Sequence, residues 1–197
     1  MRRTFVAVSL PPEILGDLQA AVRSLSELGL SGRGVRRSAM HLTLKFLGDV
    51  PATQTEAITA AVSKPANAWR PFELKLGAVG VYPSPGRARV LWVGLAGDLA
   101  PLVDLQHEVE NALTCLGFER EARPYSPHLT VARIGDRASA SDRRRALNVL
   151  HGVELREGPP FAVGSIVLMK SELSREGARH YPLTRIPLGD TLRRDTP

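Results

Sequence analysis

A tetrad that occurs twice constrains this chain more than any other feature. Residues 41–44 read His-Leu-Thr-Leu and residues 128–131 read His-Leu-Thr-Val, a little under half the chain apart. Each opens a stretch that reads as a strand, HLTLKFL (41–47) and HLTVARI (128–134). Side chains along a strand alternate between faces. His41 therefore shares a face with Thr43, and His128 with Thr130, while Leu42, Leu44, Leu129 and Val131 take the opposite faces. Each strand has an apolar side to bury and a His/Thr side that faces something polar. A helix and a loop precede each tetrad. Ile14, Leu18, Ala21, Val22, Leu25 and Leu28 recur at helical spacing over 11–28, and Leu102, Leu105, Val109, Leu113 and Leu116 do so over 98–116. The repeat predicts two related halves, each helix–loop–strand–helix, whose His/Thr faces meet across a cleft.

The remaining segments fit this plan. Residues 3–8, 72–82 and 88–95 read as strands, with SPGR (84–87) as a turn. Residues 29–40 read as a glycine-rich connection. Pro51 starts a second helix and SDRRRALNVL (141–150) suggests a fourth, while 161–173 and 179–186 suggest a closing strand pair. Helices and strands interleave irregularly with hairpin-like neighbours, which predicts an α+β fold with antiparallel sheets. A single two-lobed domain is expected over 1–187, followed by a polar tail over 188–197. The one cysteine, Cys115, excludes an internal disulfide framework and any multi-cysteine metal site. No stretch reaches the ~18 apolar residues of a membrane span. The first apolar run is cut by Ser9, Pro11 and Pro12, so a cytoplasmic protein is expected. With no apolar helix face demanding a partner, a monomer is expected. The net charge of +6 comes from 22 arginines and four lysines. Such a surface favours phosphate-bearing partners.

Two imidazoles and two hydroxyls around one cleft suit phosphodiester cleavage. Imidazole titrates near 6.5, so one ring can be neutral and the other protonated at neutral pH. One accepts a proton from attacking water while the other donates to the leaving oxygen. The threonine hydroxyls can donate to non-bridging phosphate oxygens. This scheme needs no metal or cofactor. A zinc site would require a third ligand such as His107, His151 or His180, none of which has ligand-like spacing to a tetrad.

With these residues in hand, the chain resembles the RNA 2′,3′-cyclic phosphodiesterase family of the 2H phosphoesterase superfamily, formerly described as 2′-5′ RNA ligases. The resemblance spans about residues 3–186. It rests on RTFVAVSLPPEI at the start, HLTLKFLGDV (41–50), ARVLWVGL (88–95), RPYSPHLTVAR (123–133) and SELSREGARHYPL (171–183). It implies a bilobal α+β fold with an antiparallel sheet in each lobe, and hydrolysis of an RNA terminal 2′,3′-cyclic phosphate to a 2′-phosphate end. RNA ends or small cyclic nucleotides are the implied substrates. On the resemblance alone, His41 is the proton donor and His128 the proton acceptor, with Thr43 and Thr130 holding the phosphate. The pseudo-symmetry of the pair leaves the sequence itself silent on which histidine plays which part.

Arg133 also matches a family position. Plain alternation places it opposite His128, so it reaches the phosphate only if the strand bends, bulges or ends at Ala132. Tyr125 and Phe46 are candidates for stacking on a base, although the parity of Phe46 with Leu42 and Leu44 predicts core packing instead. Arg33, Arg36 and Arg37 precede the first tetrad, and Arg137, Arg143, Arg144 and Arg145 follow the second; either run can rim the cleft. The aromatic that family members often carry shortly before the first tetrad is replaced here by Arg36–Arg37. Two other functions compete with hydrolysis. One is reversible 2′-5′ ligation at the same site, and the other is RNA binding without catalysis.

Overall fold

The computed structural model describes residues 1–28, 32–152, 160–174 and 177–189. In chain order the elements are strand β1 (Arg2–Val8), helix α1 (Pro12–Ser26), strand β2 (Gly32–Gly34) and strand β3 (Leu42–Val50). Helix α2 (Thr55–Ala68), β4 (Phe72–Tyr82), β5 (Val90–Gly97) and helix α3 (Leu99–Thr114) follow. Then come β6 (His128–Ile134), helix α4 (Ala140–Gly152), β7 (Phe161–Val163), β8 (Ser165–Ser174) and β9 (Gly177–Pro187). A short 3-10 turn, Arg37–Ala39, lies just ahead of the first tetrad.

Two antiparallel sheets result. One has the order β3-β1-β8-β9 and the other β2-β6-β5-β4-β7. Laid side by side, β3-β1-β8 of the first matches β6-β5-β4 of the second, so the tetrad strands occupy equivalent places. The helices obey the apolar stripes. Ile14, Leu18, Ala21 and Leu25 of α1 are buried, as are Leu102, Leu105, Val109 and Leu113 of α3. Leu116 lies past the end of α3 and is exposed. Burying such a stripe, at roughly 25 cal/mol per Å² of apolar area, is what holds a helix to a sheet.

The α+β, two-lobed reading holds, but the lobes are not the sequence halves. Helix α1 precedes β3 yet packs against β6 and β2 of the other sheet, beside α4. Helix α3 precedes β6 yet packs against β3, beside α2, which itself lies under β9. Helices α1 and α3 thus each cover the sheet that carries the other half's tetrad, while α2 and α4 stay with their own. Two stretches differ from the sequence expectation. The connection over 29–40 contains β2, an edge strand paired to β6 through Gly32↔Ile134 and Gly34↔Ala132. The run 161–173 is broken at Gly164, which sends β7 to β4 and β8 to β1 in different sheets. Leu188 is buried and its amide donates to the Gly164 carbonyl, so the packed body reaches two residues beyond 187. The expected tail over 190–197 lies outside the described residues. Among those residues, no helix is long and apolar enough to cross a membrane.

Candidate active site

Both tetrad strands carry the same irregularity. In the β1–β3 ladder, Ala7 faces Thr43 and Val6 faces Lys45, leaving Leu44 without a counterpart. In the β5–β6 ladder, Trp92 faces Thr130 and Leu91 faces Ala132, leaving Val131 without one. The fourth residue of each tetrad is therefore the extra residue of a β-bulge, which resets the alternation of everything after it. Burial follows the reset. Leu129 and Val131 are buried, then Ala132 and Ile134, while His128, Thr130 and Arg133 face out. The bulge that Arg133 required is thus present.

The same arithmetic corrects the expectation for Phe46. After the bulge at Leu44, Lys45 turns into the core and Phe46 joins the His41/Thr43 side, where it is 66% exposed. Phe46 and Arg133 are equivalent positions, each five residues past its histidine. One lobe presents an aromatic face there and the other a guanidinium.

The inward turn of Lys45 brings a charge into the core. Its ammonium lies 2.5 Å from Oε1 of Glu110 and also donates to the Glu119 carbonyl. Glu110 accepts the Glu121 amide at 2.9 Å and the Gln106 side-chain amide at 3.2 Å. This network clamps β3, α3 and the segment after α3 together directly behind the tetrad. Nothing in the sequence pattern marks Lys45 as buried, because the bulge that buries it is a tertiary feature.

The two imidazoles are held by different means. Nδ1 of His128 lies 2.8 Å from the carbonyl of Ser126, two residues back. A carbonyl only accepts, so Nδ1 carries the hydrogen and the neutral ring's lone pair sits on Nε2. Tyr82 meets this ring edge-on at 5.2 Å, and its hydroxyl pairs with the Ser126 hydroxyl at 2.9 Å. Trp92 stands behind at 6.3 Å, its indole lying across Gly80, where a Cβ would strike it. His41 instead rests on Phe5 at 4.5 Å and meets His180 edge-on at 4.8 Å. The carbonyl two residues back, Ala39, favours its protonated form. Yet the buried Nδ1 has no partner of normal hydrogen-bond geometry. Burial, then His180, and more weakly Arg133, lower the His41 pKa from 6.5 to about 4. Burial lowers that of His180 as well.

Several contacts join the tetrads. Strand β3 approaches β6. The Tyr125 hydroxyl donates to the Thr43 carbonyl at 3.0 Å, and its ring packs on the core. Tyr125 is thus a strut between the two halves and not a stacking platform; burial pushes its phenol up. Arg133 of β6 bears electrostatically on His41 of the other lobe.

The arginine runs divide. Arg143 is buried and donates to the carbonyls of Ala138 (3.2 Å), Gly135 (3.0 Å) and Ala88, so it holds α4 in place. Arg145 donates to the Leu28 carbonyl at 2.9 Å, and Arg37 to the Pro12 carbonyl at 3.0 Å. Arg137 and Arg144 are exposed. The Arg33 side chain lies outside the described residues. Of the other histidines, His107 and His151 are exposed on α3 and α4. Phe5, Tyr82 and Trp92 are site neighbours that the sequence pattern did not single out, and His180, which it named only as a third metal ligand without fitting spacing, lies against His41. Among the described residues, no group of three or more His, Cys, Asp or Glu lies placed to hold a metal ion.

Comparison with known proteins places this geometry. A model of the 2′-5′ RNA ligase superfamily matches residues 10–175. A protein of Aeropyrum pernix named RNA 2′,3′-cyclic phosphodiesterase is 31% identical over 175 residues, 88% of this chain and 96% of that one. A protein of the same name from Methanothermobacter thermautotrophicus is 29% identical, over 89% of this chain and 92% of its own. The E. coli LigT structure complexed with 3′-AMP superposes with a TM-score of 0.69 at 26% identity, over 96% of this chain and 99% of that one. A Thermus thermophilus structure shares the fold, with a TM-score of 0.76 at 24% identity, over 95% of this chain and 99% of that one. With a family model spanning most of its length and a bulged His-X-Thr strand in each sheet, the chain belongs to the 2′-5′ RNA ligase superfamily.

Proposed function

We propose that this protein hydrolyses the 2′,3′-cyclic phosphate at an RNA end to a 2′-phosphate, without a metal, using His41 and His128 as acid and base. It is a phosphodiesterase of its family, and the relatives' shared name points to this substrate. One observation carries the residue assignment: matching bulges give two lobes an equivalent His/Thr face, and the Tyr125 hydroxyl ties them by its bond to the Thr43 carbonyl. In the reaction, Nε2 of His128 takes a proton from water as its oxygen attacks phosphorus. The bond from phosphorus to the 3′ oxygen breaks, and His41 delivers a proton to that oxygen. Thr43, Thr130 and Arg133 hold the non-bridging oxygens, where hydrogen bonds to developing charge strengthen. Phe46 offers its exposed face to a base, the mode by which proteins grip unpaired RNA bases.

The lowered pKa of His41 bears on the acid role. In the free protein its ring is neutral at pH 7. A phosphodiester brings negative charge beside it, which favours the protonated form and raises the share of His41 able to donate when substrate is bound. The reverse reaction replaces water by an RNA 5′-hydroxyl at the same groups, and the family description carries that name. We extend the reading to a cytoplasmic monomer acting on RNA ends or small cyclic nucleotides. The test is turnover of a 2′,3′-cyclic nucleotide with chelator present. His41→Ala and His128→Ala are each expected to lose about 10²–10⁴-fold in kcat. Full activity in either variant, or dependence on added divalent metal, overturns the proposal.

A further inference from the structure

His180 enters the site from β9, on the far side of the first sheet, and no part of the reaction above uses it. It stands across from Ser171 of β8, which in turn faces Arg3 of β1. Its ring is edge-on to His41, with centroids 4.8 Å apart at 86°, and edge-on to Phe5 at 4.9 Å and 83°. Phe5 itself lies 4.5 Å from His41, tilted by 33°. His41 is therefore boxed by two rings, one beneath it and one against its edge.

The two lobes differ in how the imidazole is held. His128 has a 2.8 Å hydrogen bond from Nδ1 to a carbonyl, which sets both tautomer and ring orientation. Nδ1 of His41 is buried beside the corresponding carbonyl, Ala39, without the geometry of a normal hydrogen bond, and Nδ1 of His180 has no hydrogen-bond partner. A side chain whose polar handle is loose turns about its last torsion unless packing stops it, because that torsion has a broad minimum. An edge-to-face ring pair supplies such a stop and contributes about 0.5–1.5 kcal/mol beyond area burial.

We propose that His180 is a positioning residue for His41, its ring edge supplying the orientation that a well-formed hydrogen bond gives His128. This rests on the assignment of His41 as an acid–base group. The proposal predicts that shape, not the His180 nitrogens, carries the effect. His180→Ala removes the edge, and His180→Phe keeps it. With a cyclic nucleotide as substrate, His180→Ala is expected to lower kcat roughly 10–100-fold, the scale of a small misplacement of a reacting group. KM is expected to stay within about threefold, since the Thr43, Thr130 and Arg133 contacts remain. His180→Phe is expected to restore kcat to within about threefold of wild type. In 15N-resolved NMR of the folded proteins, the His41 ring signals of His180→Phe should keep the wild-type tautomer. In His180→Ala they should shift toward a mixture of tautomers.

Unchanged kcat and unchanged His41 signals in His180→Ala overturn the proposal. So does a His180→Phe variant as impaired as His180→Ala, because the nitrogens would then be what matters. The NMR readout needs no turnover. A failure of the hydrolase reading, seen as full activity in His41→Ala, is thereby distinguished from a failure of the positioning role.

Discussion

Glu110→Ala tests whether the core behind the first tetrad depends on a buried ion pair. Lys45 and Glu110 each have 5% of the side chain exposed and lie 2.5 Å apart. Removing the carboxylate leaves a buried ammonium with the Glu119 carbonyl as its remaining partner, and strips an acceptor from Gln106 and from the Glu121 amide. Breaking a buried pair from one side costs about 3–5 kcal/mol. With a urea slope of about 2 kcal/mol per M for a small protein, the unfolding midpoint should fall by roughly 2 M. That is a large part of a total stability of about 5–15 kcal/mol. Replacing both partners with apolar residues, Lys45→Met with Glu110→Leu, should recover most of the loss, because no orphaned charge remains. Lys45→Met, Glu110→Leu and the double variant form a cycle whose coupling term isolates the pair. A loss below about 1 kcal/mol for Glu110→Ala, or a double variant no more stable than that single one, refutes the reasoning.

Other outcomes follow from the site. Arg133→Ala should lower kcat about 10²-fold, the usual loss of one donor to a developing oxyanion; a change under threefold in steady-state assays removes Arg133 from the site. Phe46→Ala should raise KM for a cyclic nucleotide about 5–150-fold, the range of one base–aromatic stack. Phe46→Trp should leave KM near wild type, and equal KM values in all three proteins rule stacking out. Stability should also report His41. Its pKa is 6.5 when unfolded and about 4 when folded, so between these values the unfolded chain binds the proton that the folded chain refuses. The full stability is present above pH 6.5 and falls by up to about 1.4 kcal/mol per unit on the way down to pH 4. Urea midpoints at pH 7 and pH 4.5 should therefore drop less for His41→Gln than for wild type, and parallel drops contradict the burial of His41.

Much of this molecule is legible in its residues taken one after another. The helical stripes of α1 and α3, the strands that follow each tetrad, and the His/Thr faces all depend on local periodicity, which a sequence displays directly. The repeat itself announces two equivalent strands, and the structure puts them at matching places in two sheets. What followed from long-range pairing was out of reach. Whether Leu44 and Val131 bulge is decided by the partner strands β1 and β5, and those bulges turn Arg133 and Phe46 onto the His/Thr faces and Lys45 into the core. The exchange of α1 and α3 between lobes, the strut from Tyr125 to the Thr43 carbonyl, and the placing of His180 against His41 each join residues far apart in the chain. Periodicity is a property of neighbours; register, burial and ring contacts are properties of the assembled sheets, so only the tertiary structure could decide them.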